Sequence, residues 1–127
     1  MSGPLRDRLV ALSPGDRRLL LAMSGVALLV LLGGIAGGVG VALARAGWID
    51  LLPEAGYRLL TLHGVGIFFY WLFLVQGAIL LALTAGEGGR GLAGRALGWA
   101  GFGLILAGMA LSLGAASGGT PLLYDGN

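Results

Sequence analysis

Three stretches of this chain carry no charged side chain: residues 19–44, 59–86 and 96–124. Each meets or exceeds the roughly 20 residues that an α-helix needs to cross a ~30 Å hydrocarbon core. Lipid offers no partner to backbone N–H and C=O groups, so a spanning segment must be a helix or part of a closed barrel. The runs are continuously apolar instead of alternating, which selects helices. The expected fold is therefore all-α: an integral membrane protein with transmembrane helices over 19–44, 59–86 and 96–120, preceded by a leader over 1–18 and followed by a tail over 121–127, all within a single domain.

Composition agrees with that class. Charged residues make up only 11% of the chain, against about 25% in ordinary soluble domains. A sequence pI near 9.7 would point to nucleic acid in a soluble protein. Here all eight basic residues are arginines beside or between the apolar runs, so they set topology and no nucleic-acid partner is expected. Arg6, Arg8, Arg17 and Arg18 precede the first run, and Arg90 and Arg95 lie between the second and third. Arg45 and Arg58 bound the loop between the first and second. Six against two places the N-terminus and second loop in the cytoplasm and the C-terminus outside. The leader is long and arginine-rich and the first apolar run exceeds a signal-peptide core, so no cleavable signal is expected. Without cysteine, disulfides and thiolate metal sites are excluded.

Local signals fit the same frame. Ser13-Pro14-Gly15-Asp16 is a plausible start for the first helix, and Pro53 followed by Glu54 can begin the second ahead of its apolar run. Trp48 and Tyr57 fall in the first loop, where amphipathic aromatics anchor in headgroups. The second loop, 87–95, is glycine-rich. Ser24, Thr61, Thr84 and Ser112 suit ordinary helix packing, and Gln76 is expected to hydrogen-bond a neighbouring helix.

His63 stands apart. It is the only histidine in the chain and lies inside the second apolar run, where an ionisable ring marks a functional-site candidate by default. The first helix carries Gly33, Gly34, Gly37, Gly38 and Gly40, including overlapping Gly-x-x-x-Gly pairs. Small residues at that spacing admit either another helix or a flat ligand. Counting 1.5 Å per residue from the two loop-proximal ends puts His63 ~6 Å below the boundary, level with Gly40 and a turn above Gly37. On the second helix Gly66, Ile67 and Tyr70 continue the His63 face. A neutral imidazole beside side-chain-free surface is what an axial haem ligand requires, with Gly37, Gly40 and Gly66 giving space for the ring. Two other readings stay open on the residues alone. His63 can simply hydrogen-bond a carbonyl of a neighbouring helix, or it can act as a proton relay or pH sensor.

The segment Thr61-Leu62-His63-Gly64-Val65 resembles the start of the second helix in subunit I of the haem–copper oxidases, most closely the b/a-type cytochrome c oxidase branch. The layout is similar too: a helix, an outer loop, a histidine at the outer end of helix two, and a glycine- and alanine-rich third helix leading to Thr120-Pro121-Leu122-Leu123-Tyr124. The resemblance covers roughly residues 16–124. It implies that His63 is an axial ligand to the iron of a low-spin haem of b or a type, in a terminal respiratory oxidase of a bacterial or archaeal inner membrane. It further implies electron transfer from a donor such as cytochrome c towards oxygen reduction. The family's other haem ligands and its copper ligands are histidines, and this chain has one. The second axial ligand is thus expected from another chain, a partner oxidase subunit carrying the remaining helices, with no copper site and no complete catalytic centre here. The alternative is a non-catalytic membrane assembly or structural subunit in which His63 is a packing hydrogen bond.

Overall fold

A computed structural model of the protein describes residues 6–7, 10, 12–88, 92 and 94–117. The expected tail over 121–127, the Thr120–Tyr124 element, the last residues of the third expected helix and residues 1–5, 8, 9 and 11 of the leader lie outside the described residues. Among those described, the chain is all-helical and has three helical spans long and apolar enough to cross a membrane. This is the architecture of an integral membrane protein.

Helix α1 runs Pro14–Arg45, about 48 Å at the standard rise. It begins five residues before the uncharged run because Ser13 caps it: its Oγ accepts from the Asp16 amide at 3.2 Å, and Pro14 occupies the first turn, where a missing N–H costs nothing. It ends in a Schellman motif. The Trp48 amide donates to Leu43 O at 3.0 Å and the Gly47 amide to Ala44 O at 3.1 Å, with Gly47 at φ +74° in the left-handed region that glycine enters freely.

The second span is one continuous helical rod with a defect. Helix α2 covers Pro53–Val65, a π turn covers Gly66–Trp71, and α3 covers Leu72–Gly88. Pro53 and Glu54 open α2, and Glu54 is ion-paired with Arg58 one turn on. The π turn starts three residues after His63. Its wider winding resets which face the following residues present. Helix α4, Arg95–Ser117, completes the bundle.

Packing differs between the two ends. At the end bearing Ser13 and Arg95, Leu19, Met23 and Ala27 of α1 meet Leu74 and Ala78 of α3 and Phe102 of α4 in the buried core. Glycines let these chains close up: a Cβ at Gly98 would stand 2.7 Å from Leu19 Cδ2, and one at Gly77 2.8 Å from Met23 Cε. Large apolar side chains such as Leu28, Leu32, Phe68, Leu80 and Leu104 face outward, as a lipid-facing surface demands. Gln76 corrects an expectation. It is exposed and makes no hydrogen bond to another helix among the described residues. The buried Leu74 and Ala78 fix the core face of α3, and a residue two positions from each points the opposite way.

Candidate functional site

The site forms between α1, the rod of α2 and the π turn, and α4, beside the packed core. Val26, Val30, Gly33, Gly34 and Gly37 line one wall of a cavity of about 660 Å³. His63, Gly66 and Tyr70 contribute a second wall, and Met109, Ser112 and Leu113 the third. That volume falls within the roughly 300–1,000 Å³ of small-molecule and cofactor pockets. Leu29 on α1 and Leu113 on α4 also line it while remaining largely exposed, so the cavity opens between these two helices.

His63 is held at the α1–α2 contact. Its Nδ1 lies 2.6 Å from the Gly34 carbonyl oxygen. A carbonyl only accepts, so Nδ1 carries a proton, and in the neutral form of the ring the lone pair is on Nε2. Nε2 has no hydrogen-bond partner among the described residues. A helical carbonyl is available because it has a second lone pair beyond the one spent in the helix ladder. The imidazole lies against Gly38: a Cβ there would be 2.7 Å from Cε1 and 2.9 Å from Nδ1. Gly34 is just as tight against the next turn of the rod, its Cβ position falling 2.6 Å from Ile67 Cδ1 and Cγ1.

The expected site residues are distributed as follows. His63, Gly37 and Gly66 line one cavity, and a Cβ at Gly37 would be in ordinary contact with His63 Cβ, at 3.8 Å. Gly40 lies a turn away, opposite Leu59, whose Cδ1 would be 3.9 Å from its Cβ. It is not among the residues lining the cavity. Counting from the ends assumes that both apolar runs enter the membrane at equal depth. The helices instead cross with Leu59 against Gly37 and Gly40, His63 against Gly34 and Gly38, and Ile67 against Gly34. Sequence reasoning thus missed the residues nearest the ring, Gly34 and Gly38, although their Gly-x-x-x-Gly spacing was the available signal. It also missed the polar pair deeper in the cavity. The Tyr70 and Ser112 hydroxyls share a hydrogen bond with 2.6 Å between Oη and Oγ, tying the π turn to α4.

A second polar cluster lies at the opposite end of the bundle. Asp16 is only 1% exposed. Its Oδ2 accepts from the Ser13 hydroxyl at 2.7 Å and from the Leu92 amide at 3.3 Å, while Arg95 Nε stands 3.5 Å from Oδ1. The Arg95 guanidinium occupies the space over Gly15 that a side chain would take. This cluster fastens the start of α4 to the start of α1.

The chain matches no protein-family model, no curated protein and no solved structure. Its site is therefore read on its own chemistry: an oriented imidazole with a spare lone pair, a glycine-walled cavity, and a hydroxyl pair.

Proposed function

We propose that this chain supplies His63 as an axial ligand to a low-spin haem, as one part of a membrane-bound respiratory oxidase of the haem–copper type. The observation that carries the reading is the Nδ1–H donated to the Gly34 carbonyl. Metal-ligating histidines characteristically spend the other ring N–H on a carbonyl or carboxylate, which fixes the tautomer and raises the basicity of the ligating nitrogen.

The residues present suit such a group. Gly38 seats the imidazole, and Gly33, Gly37 and Gly66 keep the cavity wall free of bulky side chains. The apolar lining excludes water, which favours a large flat ligand over a hydrated ion. Held there, a haem would supply one-electron chemistry, for electron transfer from a donor such as cytochrome c towards oxygen reduction. The chain's own part is to orient one ligand and shield one face. Such a haem would take one histidine ligand, His63, from residues 1–127. In this reading a partner subunit packed over the opening between α1 and α4 supplies the second ligand and the oxygen-reducing centre. The arginine-rich end faces the cytoplasm of a bacterial or archaeal inner membrane, and His63 lies towards the outer face.

The same hydrogen bond also suits a second reading, a structural subunit in which His63–Gly34 merely ties α1 to α2. A reduced-minus-oxidised absorbance spectrum of the purified chain with its co-purifying subunits separates the two. A sharp low-spin α-band that His63→Ala abolishes, with a histidine-containing membrane subunit attached, supports the oxidase reading. A colourless preparation with no such partner overturns it and leaves the tie between helices.

A further inference from the structure

His63, Tyr70 and Ser112 are the side chains that bring nitrogen or oxygen to the cavity wall. Tyr70 and Ser112 hold two hydroxyl hydrogens between them, and their shared bond uses one. The other O–H has no acceptor among the described residues. A helical hydroxyl can ordinarily turn back on its own helix, as Thr84 does on the Leu80 and Leu81 carbonyls at 3.0 and 3.1 Å. Ser112 is turned to Tyr70 instead. An unspent donor facing a largely apolar cavity inside a membrane is costly, since lipid offers it no acceptor. Nothing crowds the phenol: a Cβ at Gly108 would stand 3.7 Å from Tyr70 Oη, an ordinary contact. Tyr70 follows His63 by seven residues, about 10 Å along the rod at the helical rise, and both border the same space.

We propose that the Tyr70–Ser112 hydroxyl pair is a second anchor for the ligand of this cavity, donating one hydrogen bond to an acceptor oxygen on the ligand's rim. The occupant is then a flat, largely apolar ring engaged at its centre by His63 and carrying an oxygen substituent about two helical turns deeper. This rests on the haem reading above and deepens it: the preferred ring bears a rim carbonyl or carboxylate oxygen on the side facing α4. With His63 holding the ring at one point, the hydroxyl pair would give it a second, and the two together would fix how the ring sits in the cavity.

The test uses the chain purified with its co-purifying subunits, as wild type and as His63→Ala, Tyr70→Phe, Ser112→Ala and Ser112→Thr. Haem content, the rate of haem transfer to excess apomyoglobin, and resonance Raman bands of the rim substituents are recorded. The expected result is that His63→Ala loses the pigment. Tyr70→Phe and Ser112→Ala keep a low-spin spectrum but release haem about tenfold faster, the factor one lost hydrogen bond gives, with a shifted rim C–O or C=O band. Ser112→Thr, which retains a hydroxyl, restores both. Unchanged release and unchanged bands in a pigmented Tyr70→Phe overturn this inference and leave the haem reading standing. A colourless wild type overturns both.

Discussion

The imidazole of His63 rests directly on the backbone of Gly38, so closely that a methyl group there would be 2.7 Å from Cε1 and 2.9 Å from Nδ1. The ring is rigid and its Nδ1 is committed to Gly34 O, so it cannot yield as a flexible chain end can. Gly38→Ala is expected to cost about 1–3 kcal/mol, the usual penalty for overpacking. Gly33→Ala, with nothing within 4 Å of its Cβ position, is expected to be near neutral. Thermal unfolding in detergent of the two variants checks the contrast, and equal melting temperatures would rule out the ring seat.

Gly34 and Ile67 make a second such pair. A Cβ at Gly34 would fall 2.6 Å from both Cγ1 and Cδ1 of Ile67, so Gly34→Ala should force the α1–α2 contact apart. Shortening the opposing side chain in Gly34→Ala/Ile67→Ala should recover part of the loss, giving a favourable coupling of about 0.5–3 kcal/mol in a double-mutant cycle. A coupling of zero would mean that the two residues are not in contact.

The glycines of the buried core should differ from one another by the mobility of what they face. Gly77 faces the terminal methyl of Met23, and Gly98 faces Leu19 Cδ2, a branched side chain that is 0% exposed. Methionine rearranges readily, whereas a close-packed leucine does not. Gly98→Ala should therefore destabilise more than Gly77→Ala, by about 1 kcal/mol or more. Chemical denaturation of both variants measures the order, and the reverse order contradicts the packing described.

At the opposite end, Asp16 accepts from Ser13 and Leu92 within the buried interface, while Arg95 is half exposed. Removing the acid takes the acceptor from a half-buried hydroxyl and a half-buried backbone amide, so Asp16→Ala should cost about 1–3 kcal/mol. Arg95 is half exposed and stands 3.5 Å from the carboxylate, so solvent screens its end of the pair and its removal is expected to cost less, about 1 kcal/mol. Unfolding midpoints should rank wild type above Arg95→Ala, and Arg95→Ala above Asp16→Ala. An Arg95→Ala loss as large as that of Asp16→Ala would show that the ion pair, not the hydrogen bonds, holds α4 to α1.

Much of the architecture is legible without coordinates. Charge is excluded from hydrocarbon, so the three uncharged runs and the arginines around them mark the spans, and Pro53 with Glu54 marks the start of the second. A lone imidazole in such a run announces itself for the same reason. What sequence could not supply was depth and register. Which glycine meets His63 depends on how α1 and α2 slide and cross, and that is settled by the sum of contacts at Leu59, His63 and Ile67. The π turn at Gly66–Trp71 has no residue signature in this stretch, and it sets which later side chains reach the core and which, like Gln76, face outward. In sequence Asp16 is simply part of the Ser13–Asp16 start of the first helix. It is buried only because Leu92 and Arg95, far along the chain, fold back over it. Local chemistry fixed the elements and named the histidine; long-range packing decided what the histidine touches, because that packing brings together residues whose separation along the chain carries no signal.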